Sequence, residues 1–199
     1  LPDISVPFQT TTNGEHPDGT PRYLPYLRDP ETLARPWAIP GTPGLMHRVG
    51  GIEKQDVTGN VNYEPANHEL MMHLRADKIA GIAKDIPAVE VDDPSGDAEL
   101  LVLGWGSTWG AIQAAARRVR EGGGKVAHAH LVHLNPFPAN LGEVLRRYPK
   151  VLVPEMNLGQ LSRLVRAEYL VDAQSLTKVQ GLPFRAAELE AKMLEMING

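Results

Sequence analysis

The apolar residues of this chain are unevenly spread, and their spacing divides it in two. In the second half, short apolar runs alternate with amphipathic stretches. Leu100–Leu103 is unbroken and apolar, the pattern of a strand buried on both faces. Ser107–Glu121 then predicts a helix with Ile112, Ala115, Ala116 and Val119 at core spacing, ended by Gly122, Gly123 and Gly124. Lys125–Leu134 predicts a second strand, stopped by Pro136 and Pro138. Asn140–Arg147 predicts a short helix with Asn140 as its N-cap. Val151–Val153 reads as a third buried strand, and Asn157–Glu168 as a helix turning Leu158, Leu161, Leu164 and Val165 inward. Leu176–Val179 is a short fourth strand. Pro183 opens a last helix with Leu189, Met193, Leu194 and Ile197 on one face. Alternation of strand and helix over short loops implies right-handed crossovers. The expected fold is α/β: a three-layer α/β/α open, mostly parallel sheet over residues 97–199.

The first half lacks this rhythm. Nine prolines fall in residues 1–43, so regular structure there should be short. A spacer of this composition needs no large apolar groups, yet Tyr23, Tyr26, Trp37, Ile39 and Leu45 are present. Residues 1–63 therefore read as an ordered, proline-rich arm that packs on a larger body. Glu64–Ala83 predicts one helix, with Pro65 in its first turn and Leu70, Leu74, Ile79 and Ile82 along one face. Residues 85–96 complete a 64–96 helix-and-linker segment.

Composition narrows the function classes. The chain has 199 residues, 42% apolar content and a net charge of −4. No basic stripe points to nucleic acid. No apolar run approaches the roughly 18 residues of a membrane helix, and no signal-peptide pattern is visible at Leu1. The expected compartment is the cytoplasm. There is no cysteine, hence no disulfide and no thiolate ligand for zinc or an iron–sulfur cluster. The chain begins at Leu1 without an initiator Met, which suggests a processed or truncated polypeptide.

Few constellations carry chemistry. Gly104, Gly106 and Gly110 resemble a dinucleotide fingerprint with one residue too many, and no acidic residue ends the second strand. The glycine turn opens a helix, so Gly106, Ser107 and Thr108 form a candidate anion site, with Ser107 as a plain helix cap the competing reading. Trp105 and Trp109 occupy positions that a nucleophile elbow needs small. His128 and His130 share one face of a strand, with His133 beyond. Without a third ligand or a carboxylate they read as half-buried or interface histidines, and no metal is expected. His68 and His73 lie five apart, about 140° around a helix, which does not suit one metal ion. The loop Gly50–Gly59 carries Glu53, Lys54 and Asp56. It is either a surface turn or a loop held against a partner through ion pairs.

At this loop a resemblance enters. Ala38-Ile-Pro-Gly-Thr-Pro-Gly44 and Gly50-Gly-Ile-Glu-Lys-Gln-Asp56 precede a helix with Met71, Met72, Arg75 and Lys78. Then come Leu103-Gly-Trp-Gly-Ser-Thr-Trp-Gly-Ala111, Leu134-Asn-Pro-Phe-Pro138 and Val153-Pro-Glu-Met-Asn-Leu-Gly-Gln-Leu161. Their order and spacing resemble the C-terminal part of a 2-oxoacid:ferredoxin oxidoreductase alpha subunit, closest to the 2-oxoglutarate (KorA-type) branch. The resemblance implies that residues 97–199 are a transketolase C-terminal-like domain. It also implies a parent complex that oxidatively decarboxylates a 2-oxoacid with thiamine diphosphate. That complex passes electrons through an iron–sulfur cluster to ferredoxin and releases acyl-CoA. Partners would be the remainder of the alpha subunit and a beta subunit. Thiamine diphosphate, magnesium and the cluster would lie outside this chain, which is expected to be inactive alone. Many relatives read Gly-x-Glu-His-Asp at the charged loop, whereas here Lys54 and Gln55 stand between Glu53 and Asp56. Those two acids are therefore kept only as candidates for contacts at an interface near the active site. Two alternatives remain: a free-standing nucleotide or CoA module, and the equivalent domain of a lipoyl-linked thiamine-dependent dehydrogenase.

Overall fold

The computed structural model describes residues 7–199, so Leu1 and Pro2 lie outside the described residues. The chain forms two compact units, one ending at Ile82 and one spanning Ala83–Gly199. The 64–96 segment is thus shared between them.

The second unit holds a five-stranded sheet built from β5 (Val91–Asp92), β6 (Leu100–Trp105), β7 (Val126–Leu131), β8 (Lys150–Glu155) and β9 (Ala173–Thr177). Their spatial order is β5-β7-β6-β8-β9. All neighbours are parallel except β5, which pairs antiparallel with β7 at the edge. The period-two geometry of strands sorts their side chains onto two faces. Leu100, Val102, Val126 and Leu152 face one layer, formed by α2 (Trp109–Glu121) and α5 (Ala186–Asn198). Leu101, Leu103, Ala127, Ala129, Val151 and Val153 face the other, formed by α3 (Leu141–Arg146) and α4 (Gln160–Tyr169). This is the three-layer mostly parallel sheet that the alternation predicts.

Several local expectations are corrected. The presumed linker contains β5, because Val91 and Asp92 cover the open edge of β7. Asn140 does not cap α3 with its side chain. Its amide instead clasps the backbone of Val89, accepting from N–H at 2.8 Å and donating to C=O at 3.0 Å. In α4, Leu161 and Val165 are buried, but Leu158 and Leu164 point outward. Leu158 precedes the helix, and a ten-residue helix over one sheet has a narrow inward stripe. β7 ends at Leu131, three residues early, and β9 starts at Ala173, three residues before Leu176. The last helix begins at Ala186 rather than Pro183, with Glu188 turned back to accept from Arg185 N–H at 2.8 Å.

The first unit is held differently. Its strands are two-residue pairs: β1 (Phe8–Gln9) parallel to β4 (Trp37–Ala38), and β2 (Gly14–Glu15) antiparallel to β3 (Pro21–Arg22). One helix, α1 (Pro65–Gly81), follows. The proline-rich arm is folded, but mostly by polar clasps. Asn13 brackets Leu24 through both amide atoms, at 2.6 and 3.1 Å, and Tyr23 Oη donates to Pro36 O at 2.9 Å. Its apolar core includes Tyr23, Leu45 and Met71. Trp37 and Ile39 are exposed, so they do not anchor the arm to its own unit. The face expected along α1 is also wrong. Leu70, Ile79 and Ile82 are exposed, and Met71 is the buried position of the helix.

Candidate functional site

Three places were singled out by sequence, and each resolves differently. At the charged loop, Asp56 accepts from Arg28 Nη1 at 2.5 Å, with the Arg28 side chain only 9% exposed. Asp56 N–H donates to Asn67 Oδ1 at 3.1 Å, and Asn67 Nδ2 donates to Lys54 O at 3.0 Å. These bonds tie the loop to α1. Glu53 Oε2 lies 2.6 Å from His68 Nδ1, and its Oε1 lies 3.5 Å from Arg75 Nη1. The hydrogen bond from His68, helped by Arg75, holds the Glu53 carboxyl below its usual range. Among the described residues Lys54 forms no ion pair with a carboxylate. Its side chain is buried, and Nζ donates to the carbonyls of Gly50 at 2.8 Å and Ile52 at 2.7 Å. The loop is thus braced from inside, and His68 belongs to it rather than to a pair with His73.

At the glycine turn, a single 3-10 turn (Gly106–Thr108) separates β6 from α2, so the α-helix starts at Trp109. Gly106 takes φ +57°, the left-handed region that glycine tolerates. Thr108, not Ser107, makes the local turn. Its buried hydroxyl donates to Trp105 O at 2.8 Å and accepts from Trp105 N–H at 3.2 Å. Ser107 is exposed, with its hydroxyl 3.8 Å from Met156 Sδ. The helix layer approaches the strand closely here. A Cβ on Gly104 would lie 2.6 Å from Ile112 Cδ1 and 2.8 Å from His130 Nδ1.

His128 and His130 stand edge to face, ring centroids 6.0 Å apart, at the wall of a hollow near β5 and Trp109. Burial, with the neighbouring His130, pushes the His128 pKa down to about 4. Burial also lowers that of His130, against a hydrogen bond to the Gly106 backbone. Both shifts favour the neutral ring, and among the described residues His128 Nε2 and His130 Nδ1 have no hydrogen-bond partner. Among the described residues no three His, Cys, Asp or Glu side chains converge as metal ligands.

Sequence reasoning gave no role to Glu155, the most buried acid of the chain. It ends β8 and accepts from the backbone N–H groups of Leu161 at 2.7 Å and Ser162 at 2.9 Å, the opening turn of α4. An acidic residue just ahead of a helix start was the available signal.

The fold and these local features define a domain class. Residues 98–188 match the pyruvate:ferredoxin oxidoreductase core domain II. The chain is 63% identical over 167 residues to the 2-oxoglutarate oxidoreductase subunit KorA of Mycobacterium tuberculosis, covering 84% of this chain and 25% of that protein. It is 31% identical over 144 residues to the 2-oxoglutarate synthase subunit KorA of Methanocaldococcus jannaschii, covering 70% of this chain and 38% of that one. Among solved structures it resembles the 2-oxoglutarate:ferredoxin oxidoreductase from Magnetococcus marinus, solved with 2-oxoglutarate, coenzyme A and succinyl-CoA bound. That match has a TM-score of 0.80 and 34% identity, over 93% of this chain and 32% of that one. The chain is homologous to 2-oxoacid:ferredoxin oxidoreductase alpha subunits, among them KorA subunits of the 2-oxoglutarate type. It spans about a quarter to two-fifths of the length of these relatives. No helix among the described residues is long and apolar enough to cross a membrane.

Proposed function

We propose that this chain is a structural and assembly part of the alpha subunit of a thiamine-diphosphate-dependent 2-oxoglutarate:ferredoxin oxidoreductase. The complex converts the 2-oxoacid and CoA to acyl-CoA and CO2 and reduces ferredoxin, in the cytoplasm. The observation that carries this reading is the 63% identity to KorA. Partners are the remainder of the alpha subunit, a beta subunit and, through the complex, ferredoxin.

The donor set of this chain does not fit the cofactors. A cluster needs thiolates, and there is no cysteine. A diphosphate with magnesium needs hard oxygen ligands around a phosphate cradle. At the glycine turn ahead of α2, the Thr108 hydroxyl is turned onto Trp105. Thiamine diphosphate, magnesium and the cluster are therefore assigned to other parts of the complex, and no catalytic step is assigned to residues here. Glu53 and Asp56 serve this reading as internal braces of a loop near a subunit interface. A lesser reading keeps Gly106, Ser107 and Thr108 as a phosphate-binding turn of a CoA or nucleotide module, favoured by the exposed Ser107 hydroxyl.

The test is purification of the native assembly, followed by an assay of CoA-dependent dye or ferredoxin reduction with 2-oxoglutarate and with pyruvate. Turnover with 2-oxoglutarate by the assembly, and none by the 199-residue chain alone, is expected. A lone chain that binds CoA and never accompanies an iron–sulfur subunit would replace this reading with the lesser one.

A further inference from the structure

The folded arm leaves its largest apolar side chains outside. Trp37 is 61% exposed, Ile39 52%, Val49 79% and Met46 92%. Phe8 lies beside Trp37 through the β1–β4 register. Together they line one groove of about 670 Å³. Scattered apolar side chains on a surface are ordinary, but a contiguous set marks a place that something covers. Tryptophan and methionine are residue types enriched where interfaces bury deeply.

The groove carries one arginine, Arg35, on a chain that is acidic as a whole. Its guanidinium carbon lies 4.3 Å from the centre of the Tyr26 ring. Val49 borders both the groove and a small hollow that holds Lys54 beside the Glu53–Arg75 pair. Among the described residues the ion pairs of this unit use Arg28, His68, His73 and Arg75, and none reaches Arg35, Arg48 or Lys54. Lys54 is the informative one. It is 4% exposed, and among the described residues its ammonium has two carbonyl partners for three N–H donors. A buried ammonium is costly unless an anion meets it.

We infer that the Trp37–Val49 groove docks an apolar segment flanked by a carboxylate, contributed by the part of a KorA-type alpha subunit outside the region this chain matches. The carboxylate sits against Lys54. The choice of occupant follows from length. This chain spans 25% of the M. tuberculosis subunit and 32% of the M. marinus chain, so most of such a subunit lies beyond the match. The 167 aligned residues also exceed what the second unit holds, so the relationship reaches into the first. The inference rests on the alpha-subunit reading above.

Methionine oxidation tests it in the native assembly, read by peptide mass spectrometry against the same assembly in urea. Met46 is expected to oxidise at least about tenfold more slowly in the native state, because susceptibility follows exposure. In parallel, Met46→Asp, which sets a like charge against the incoming carboxylate, is expected to weaken retention of the partner about tenfold, while Met46→Leu retains it. Met46 is exposed, so neither variant threatens the fold. An active assembly in which Met46 reacts as fast as in urea overturns this inference and leaves the alpha-subunit reading standing. A pair of 21.7 kDa copies protecting Met46 overturns the occupant named here. A chain with no larger subunit and no oxidoreductase activity overturns both.

Discussion

Glu155 Oε2 accepts the backbone N–H of Leu161 at 2.7 Å, and its other oxygen takes the N–H of Ser162, so the end of β8 caps the start of α4. The first N–H groups of a helix have no partner within it, and they carry partial positive charge. A carboxylate from the neighbouring strand fills the place where a bound anion would sit in many α/β folds. Sheet and helix layer are joined there by charge-assisted bonds.

Removing that carboxylate strands two buried donors. Glu155→Ala is expected to cost on the order of 3 kcal/mol, the range for leaving buried polar groups unpaired. Glu155→Gln, which keeps one acceptor oxygen, should cost less. Urea unfolding of both variants checks the order. Equal stability of wild type and Glu155→Ala would sink the argument.

Gly104 is where strand and helix come closest. Gly104→Ala places a methyl 2.6 Å from Ile112 Cδ1, in the packed interior, and 2.8 Å from Nδ1 of the half-buried His130. Overpacking of this kind costs about 1–3 kcal/mol. Ile112→Val removes the nearest atom, so the double variant should recover part of the loss. A double variant no more stable than Gly104→Ala alone would show that Ile112 is not the obstacle.

The buried histidines predict a defined acid sensitivity. The folded-state pKa of His128 is pushed down to about 4 by burial and by His130, while Asp92 opposes the shift and Arg120 adds to it. An unfolded histidine titrates near 6.5. The unfolded chain therefore binds the proton first as pH falls. The stability contributed by neutral His128 is whole above about pH 6.5 and lost progressively down to about pH 4, on the order of 3 kcal/mol in total. His130 shifts in the same direction. Denaturant titrations between pH 7.5 and 4.5 should show a shallower decline in His128→Leu than in wild type. Parallel declines would remove His128 from the account.

The Arg28–Asp56 pair braces the charged loop from beneath. Arg28 is nearly buried and Asp56 about one-third exposed, so Asp56→Asn leaves a desolvated guanidinium with a neutral neighbour. Solvent at Asp56 tempers the loss to about 2 kcal/mol. Limited proteolysis should then cut within residues 50–60 earlier than in wild type, with residues 97–199 unaffected. Unchanged cleavage would mean that the remaining ties, through Asn67 and Glu53, hold the loop without Arg28.

Much of the second unit was legible because its strands are short apolar runs and its helices repeat every three or four residues. Ile112, Ala115, Ala116 and Val119 fall where that spacing puts them. Leu158 and Leu164 do not, because periodicity marks every apolar residue on a stripe and cannot say how wide a stripe the sheet covers. The same limit hides Met71 on α1, where one buried methionine replaces the expected row of Leu70, Leu74, Ile79 and Ile82. β5 was missed because an edge strand of two residues has no pattern of its own. It exists only because β7 presents an open edge.

By itself the sequence determined the α/β alternation, the cysteine-free donor set and the charged loop, all properties of local residue type and spacing. Tertiary structure alone decided which polar groups meet. Asn140 reaches Val89 across 51 positions, Arg28 reaches Asp56 across 28, and Lys54 turns to backbone carbonyls instead of a carboxylate. Such pairings depend on where distant segments are brought by packing, and a hydrogen bond reads distance and angle, not sequence separation.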